Sequence, residues 1–342
     1  MPRVVGTDPG TGSLDLLLLV DGEVADQARL APDASTASLI EQLRRWQPLD
    51  LIAGPSGYGL PLVRNEDATA EDLALMTLVR PEERGRSLGV GGFSGWLDAL
   101  VRSDLPVVFL PGGIHLPTVP AHRKALRIDL GTADKVAVAA LGLWIDADER
   151  GLPPSESTFA VVEIGSAFSA ILVIEQGALV DASAGSAGPI GVRSSGLWDG
   201  EAAYWLGPLS KQDLFRGGLD DLGEVGLRAF QESLRKHLAG LREVTPFDRI
   251  YLSGSAADRP ELGPLVRETL ARFGRVSPLD SLPGAWVKHA AQGAALLADG
   301  LAGGRHADLV ASLRLREASG TALDGLAHLR GPRSPGEGAP HA

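Results

Sequence analysis

Short apolar runs separated by turn-forming residues organise the first third of the chain. The run Arg3 to Asp8 ends in Pro9-Gly10-Thr11-Gly12-Ser13, which is turn material. Leu14 to Val20 is almost unbroken hydrophobic and predicts a buried strand. Asp21-Gly22 is a two-residue hairpin signal, so Glu23 to Leu30 follows as a third strand. Ser35 or Thr36 can cap a helix that runs to Trp46. Leu49 to Gly54 predicts a fourth strand, helical spacing follows over 70–79 and 95–103, and Pro106 to Leu110 predicts another strand. The resulting order is β-β-β-α-β-α-β, with the two helical stretches over 70–79 and 95–103 taken as one helical segment.

The same pattern restarts in the second half. Phe159 to Ile164, Ser169 to Glu175 and Ala178 to Ala182 predict three strands, with Gln176-Gly177 as the turn between the last two. Helices are expected over 199–206, 221–241, 260–273 and 286–301, and a strand over 249–252. The two openings align without a gap at an offset of 155 residues: Asp8 falls on Glu163, Gly10 on Gly165, Thr11 on Ser166 and Gly22 on Gly177. Acid, glycine, hydroxyl, second strand and hairpin glycine all coincide. An offset this long is not a solenoid period and indicates a duplicated domain.

Length and composition fit two domains of a soluble α/β protein. The chain has 342 residues, 44% apolar and 22% charged, against about 150 residues for a typical domain. Expected boundaries are 1–150 and 151–305, with an extension over 306–342 that turns to glycine, proline and charge from Gly331 and reads as a disordered tail. Acidic residues number 43 and basic residues 32, for a formal charge of −11, which argues against a nucleic-acid or anionic-membrane partner. The positive charge is carried by 27 arginines and only 5 lysines. Cysteine is absent, which excludes disulfide scaffolds, thiol catalysis and Cys-ligated metals. The apolar stretches Leu14 to Val20 and Val136 to Ile145 are shorter than the roughly 20 residues of a membrane span. With no secretory signal pattern, a cytoplasmic location is expected.

Two facing hairpins of this kind can hold a nucleoside triphosphate. Glycine and hydroxyl turns offer N–H and O–H donors to phosphate oxygens. An acid at the end of each first strand, Asp8 and Glu163, can hold Mg²⁺ or its waters. Neither a P-loop nor a Gly-x-Gly-x-x-Gly dinucleotide motif occurs.

Thr7-Asp8-Pro9-Gly10-Thr11-Gly12-Ser13 resembles the first phosphate loop of the acetate and sugar kinase, Hsp70 and actin superfamily. Glu163-Ile164-Gly165-Ser166-Ala167-Phe168-Ser169 resembles its second phosphate loop, and Tyr251-Leu252-Ser253-Gly254-Ser255-Ala256-Ala257 its adenosine motif. Ala290 to Ala295 resembles the small-residue helix that follows, and Gly131 to Leu143 the helix that joins the halves. The motifs arrive in the superfamily's order over residues 3–302. Within it, Gly54 to Pro61, His122 to Lys135 and Gly185 to Gly191 look most like a group of predicted butyrate kinases. The sequence departs from the pattern at Glu163, where aspartate is usual, at Ala167-Phe168, and at Ser255, where a second glycine is common.

The resemblance implies duplicated ribonuclease-H-like (actin-like ATPase) domains with ATP and Mg²⁺ in the cleft between them. It implies a phosphotransferase acting on a small-molecule acceptor, a short-chain carboxylate such as butyrate. A sugar or polyol kinase and a non-catalytic ATP-binding switch are the alternatives. Gly10, Thr11, Gly12, Ser13, Gly165, Ser166 and Ala167 would then surround the phosphates, and Ser253, Gly254, Ser255 and Ala256 the nucleoside. Asp129, ahead of the joining helix, reads either as the acid that orients the acceptor or as a helix cap. Arg123 and Arg127 read as charge-neutralising catalytic residues or as a solvated basic face, and Ser56, Tyr58 and Arg193 as substrate contacts or plain loop residues. Acyl kinases that resemble this fold often pair, which leaves a homodimer open.

Overall fold

The computed structural model describes residues 1–10, 12–83 and 93–329. Thr11 and the glycine-rich tail from Gly331 lie outside the described residues. The first half runs β1 (Arg3–Pro9), β2 (Leu14–Val20), β3 (Glu23–Leu30), α1 (Thr36–Arg45), β4 (Leu51–Gly54), β5 (Val63–Arg64), α2 (Ala70–Thr77), α3 (Phe93–Val101), β6 (Val107–Phe109) and α4 (Ala121–Lys124). A long helix, α5 (Ala133–Arg150), leads to the second half: β7 (Phe159–Ile164), β8 (Ser169–Glu175), β9 (Ala178–Ser183), α6 (Gly200–Leu206), α7 (Gly226–Val244), β10 (Arg249–Ser253), α8 (Gly263–Leu270) and β11 (Arg275–Pro278). Helices α9 (His289–Leu301) and α10 (Ala307–Ser312) follow.

The strands form two sheets with one plan. The first has the order β3-β2-β1-β4-β6-β5 and the second β11-β10-β7-β8-β9. In each, the first strand pairs antiparallel with the second and parallel with the fourth. The duplication extends to irregularities. A register shift falls between Leu18 and Leu19 in one hairpin and between Val173 and Ile174 in the other, again 155 residues apart. Asp21-Gly22 and Gln176-Gly177 both turn with positive φ, the backbone that a tight hairpin of this twist requires.

Strand alternation places the cores. Val4, Leu17 and Leu19 face a central cluster, while Val5, Leu14, Leu16 and Leu18 face an outer one beneath α1 and α3. Phe159, Val161, Leu172 and Ile174 join the central cluster from the second sheet. Helices α5 and α9 run between the sheets and are buried for most of their length. Their approach is close enough that a Cβ on Gly293 would lie 1.7 Å from the Ala137 carbonyl oxygen. Leu309, Val310, Leu313 and Leu315 pack into this central core as well. The extension up to residue 329 is therefore part of the folded body.

Two short edge strands, β5 and β11, were not expected from the sequence, and α7 begins at Gly226 instead of Asp221. Val63–Arg64 is too short to show a period, and Gly223 and Gly226 interrupt the helical run that the acidic start suggested. Among the described residues, no helix is long and apolar enough to cross a membrane.

Candidate functional site

The carboxyl ends of β1, β7 and β10 and the starts of α5 and α9 open onto one cleft of about 1290 Å³ between the sheets. The hairpin loops face each other across it. Gly10 N–H donates to Ser13 O at 2.9 Å, and Gly165 N–H donates to Phe168 O at 3.0 Å, the same bond at the same offset. Ser253, at the end of β10, pairs in register with Glu163. Gly254 turns with φ +100°, and a Cβ there would come within 2.3 Å of Ile164 O. Glycine at 254 thus lets the third loop lie directly on the second.

The cleft floor is a charge network. Asp8 is buried, and its carboxyl is pushed up to about 7. Burial is the main cause and the Asp134 and Glu163 charges add to it, while Lys288 and Lys135 oppose. Lys135, in the first turn of α5, bridges Asp134 at 2.7 Å and Glu163 at 2.8 Å. Burial works against its charge, but the two carboxylates outweigh burial and push its pKa up. Asp134, despite burial, is held below the usual carboxylate range by Lys135 and by the Thr132 hydroxyl. Lys288, just before α9, donates to Ser13 O at 3.0 Å and lies 3.3 Å from Asp15 and 3.8 Å from Asp8. A Cβ on Gly10 would sit 2.4 Å from its ammonium nitrogen. Each phosphate-type loop therefore carries one lysine, delivered by the start of an inter-sheet helix.

The far wall brings Tyr58 and Asp129 together. Ala133 N–H donates to Gly57 O at 2.9 Å and knits their loops. One Asp129 oxygen accepts from Gly131 N–H at 2.8 Å, and the other lies against Gly185, where a Cβ would be 2.3 Å away. Burial raises the Asp129 pKa, with the Gly131 bond opposing. Lys211 arrives from the second half, donates to the Tyr58 hydroxyl at 2.9 Å and lies 4.6 Å over its ring. Its neighbours extend the crossing: Arg80 donates to Leu209 O at 2.7 Å and Lys211 N–H donates to Glu83 at 3.1 Å.

Most residues singled out from the sequence meet in this cleft. Asp8, Gly10, Gly12, Ser13, Ser56, Tyr58, Asp129, Glu163, Gly165, Ser166, Ala167, Ser253, Gly254 and Ser255 all line it. Ala256 is buried behind it, and Thr11 lies outside the described residues. Ser56 is held structurally, donating to Gly54 O and accepting from Leu110 N–H. Phe168 packs edge-on against Phe215, with ring centres 4.9 Å apart.

The three arginines expected from the sequence, Arg123, Arg127 and Arg193, do not line the cleft. Arg123 donates to Val180 O and Thr245 and pairs with Asp181 at 3.4 Å, so α4 fixes it to the back of β9. Arg127 reaches the Asp129 backbone oxygen, and Arg193 bonds Ser166 O and stacks on Phe215. Nor does Asp129 cap α5, because Thr132 occupies the N-cap position. Among the described residues, the lysines and arginines that line the cleft are Lys135, Lys211, Lys288, Arg29, Arg267 and Arg275. Their signal in the sequence was rarity: three of only 5 lysines line the cleft.

Among the described residues, no three His, Asp or Glu side chains are grouped to hold a metal alone. The donor set does fit a cation that arrives with phosphates. Glu163 keeps one buried carboxylate oxygen with no hydrogen-bond partner among the described residues, and Asp8 is held in an acidic setting that a cation would relieve. Mg²⁺ is ordinarily bound by one or two carboxylates plus substrate phosphates. Calorimetric titration with Mg²⁺ alone should show no binding tighter than about 1 mM, and ATP should restore metal dependence.

Residues 6–328 match the family described as "Protein of unknown function (DUF1464)". No curated protein matches the sequence. Among solved structures, the propionate kinase from Francisella tularensis subsp. tularensis SCHU S4 superimposes with a TM-score of 0.55 at 15% identity, covering 80% of this chain and 89% of that one. The Porphyromonas gingivalis acetate kinase gives 0.52 at 14% identity, covering 79% and 86%. The acetate kinase from Entamoeba histolytica gives 0.51 at 11% identity, covering 80% and 87%. The fold is therefore the duplicated actin-like ATPase fold expected from the sequence.

Proposed function

We propose that this chain, which belongs to the DUF1464 family, is an ATP-dependent kinase of a small molecule, with a short-chain acid of about butyrate's size as acceptor class. The observation that carries the proposal is the pairing of two identically closed loops across one cleft, each with an acid at its strand end and a lysine beside it. The likeness of fold to acetate and propionate kinases supports the acid acceptor, as do the stretches resembling predicted butyrate kinases.

Gly10, Gly12, Ser13, Gly165 and Ser166 would present donors to the β- and γ-phosphates. Lys288 and Lys135 would neutralise phosphate charge from opposite sides. Ser253, Gly254 and Ser255 would border the nucleoside, where Val276, Pro278 and Leu279 supply an apolar wall. Asp8 and Glu163 would hold Mg²⁺ bound with ATP, which would draw charge from the transferring group. Asp129 and Tyr58 would face the acceptor. Phosphoryl transfer demands positioning and charge neutralisation more than covalent chemistry, and this cleft offers both.

The test is ADP formation from Mg²⁺-ATP with and without a panel of short-chain acids and polyols. Acceptor-dependent ADP is expected. ATP binding without any acceptor-dependent ADP would favour a nucleotide-driven switch instead.

A further inference from the structure

The acceptor wall of the cleft combines two groups that a simple carboxylate acceptor would not need together. A carboxylate is already ionised at neutral pH and needs no base, and a buried aspartate beside it would repel it. A neutral alcohol needs a base but has no use for a buried ammonium. Asp129 supplies a carboxylate with one oxygen fixed by Gly131 N–H and the other turned to the Gly185 side of the cleft. On the same wall, Lys211 presents its ammonium beside the Tyr58 hydroxyl, and these are donors for an anionic group.

Resting on the kinase reading, the geometry points to a small hydroxy acid as acceptor, its carboxylate held by Lys211 and Tyr58 and its hydroxyl phosphorylated with Asp129 as the base. The hydroxyl oxygen attacks the γ-phosphorus of ATP as its proton passes to the Asp129 carboxylate. The new O–P bond forms while the bond from the γ-phosphorus to the bridging oxygen breaks, and that electron pair leaves on ADP. The product is a phosphate monoester, not an acyl phosphate. Burial, which raises the proton affinity of Asp129, suits it to this step. Because Lys211 belongs to the second half and Tyr58 to the first, the acid's carboxylate would also be held by both halves at once.

Titration follows the same assignment. Burial lowers the Lys211 pKa to about 8, with Asp129 and Glu83 opposing. Above about pH 8 the amine is neutral and loses its hold on an anion, so the acceptor KM should rise there.

The full chain is assayed with Mg²⁺-ATP against glycerate, lactate and 3-hydroxybutyrate, with glycerol and butyrate as the neutral and hydroxyl-free partners. Products are separated by hydroxylamine, which traps acyl phosphates and leaves monoesters intact. A hydroxy acid is expected to give the highest kcat/KM, with a hydroxylamine-resistant product. Asp129→Asn should lower kcat about 10²–10⁴-fold. Lys211→Met should raise the acceptor KM about 10-fold or more and abolish its rise above pH 8, and Lys211→Arg should restore much of the affinity at pH 9. ATP affinity within threefold of the parent shows that each variant is folded. A hydroxamate formed from butyrate, or equal kcat/KM for glycerol and glycerate, overturns the hydroxy-acid assignment and leaves the kinase intact. No transfer to any acceptor overturns both.

Discussion

Replacing Asp8 with alanine is expected to lower acceptor-dependent ADP formation about 10²–10³-fold. The same position should cost the protein heat stability while it serves function. Asp8 lies at the end of β1, buried, facing Asp134 and Glu163, with Lys288 and Lys135 as its compensating charges. Its carboxyl keeps its proton in the fold up to about pH 7, whereas the ordinary value is 3.8. Folding gains from that protonated form below 3.8, and the gain is lost as the pH rises through 7. Asp8→Asn keeps the volume and removes the ionisation. Its Tm should exceed that of the parent at pH 8, and the gap should shrink toward pH 5. Activity and stability would then move in opposite directions at one residue, the expected mark of a site held ready for a cation and phosphates. Differential scanning calorimetry at the two pH values, alongside the ADP assay, checks both halves. A variant that keeps its turnover would remove Asp8 from the metal and phosphate assignment.

Gly293→Ala is expected to destabilise the fold by about 3 kcal/mol or more. The added Cβ would meet the Ala137 carbonyl oxygen at 1.7 Å, backbone against backbone, with no flexible side chain to yield. Gly6 meets a similar constraint, with a Cβ position 2.2 Å from Ala291 O, so β1 and α5 both rest on α9 through bare backbone. For a protein of this size the Tm should fall by about 4 °C or more. The effect should reach the cleft as well. Lys135 stands in the first turn of α5 and Lys288 just before α9, so prying the helices apart moves both lysines relative to their loops. ATP affinity should weaken even at temperatures where the variant remains folded. Gly151→Ala is the informative contrast, because nothing lies within 4 Å of a Cβ there and only its φ of +64° is strained. That change should cost about 1 kcal/mol and leave the cleft alone.

The two hairpins were legible because local chemistry specifies them. Asp21-Gly22 and Gln176-Gly177 set the turns, and the flanking apolar runs set the strands. Acids at strand ends were legible for the same reason, and the gapless offset even carried the position of the strand irregularities. What could not be read locally was long-range delivery. Lys135 and Lys288 reach the cleft only because α5 and α9 cross between the sheets, and Lys211 only because its segment crosses to Tyr58. Arg123 and Arg127 misled by proximity in sequence to Asp129. A single turn of helix, α4, sends Arg123 to Asp181 and Thr245 instead. The scarcity of lysine in an arginine-rich chain was a usable clue, since three of the 5 lysines line the cleft.

The most direct measurement of phosphoryl transfer is a single turnover with ATP labelled at the γ-phosphoryl group, enzyme in excess and a short-chain hydroxy acid present. It reads the chemical step without waiting for product release. The predicted result is label in the acceptor, dependent on Mg²⁺ and lost in Asp8→Ala. Label that stays in bound ATP, or appears only as inorganic phosphate at a rate indifferent to the acceptor, would contradict the account.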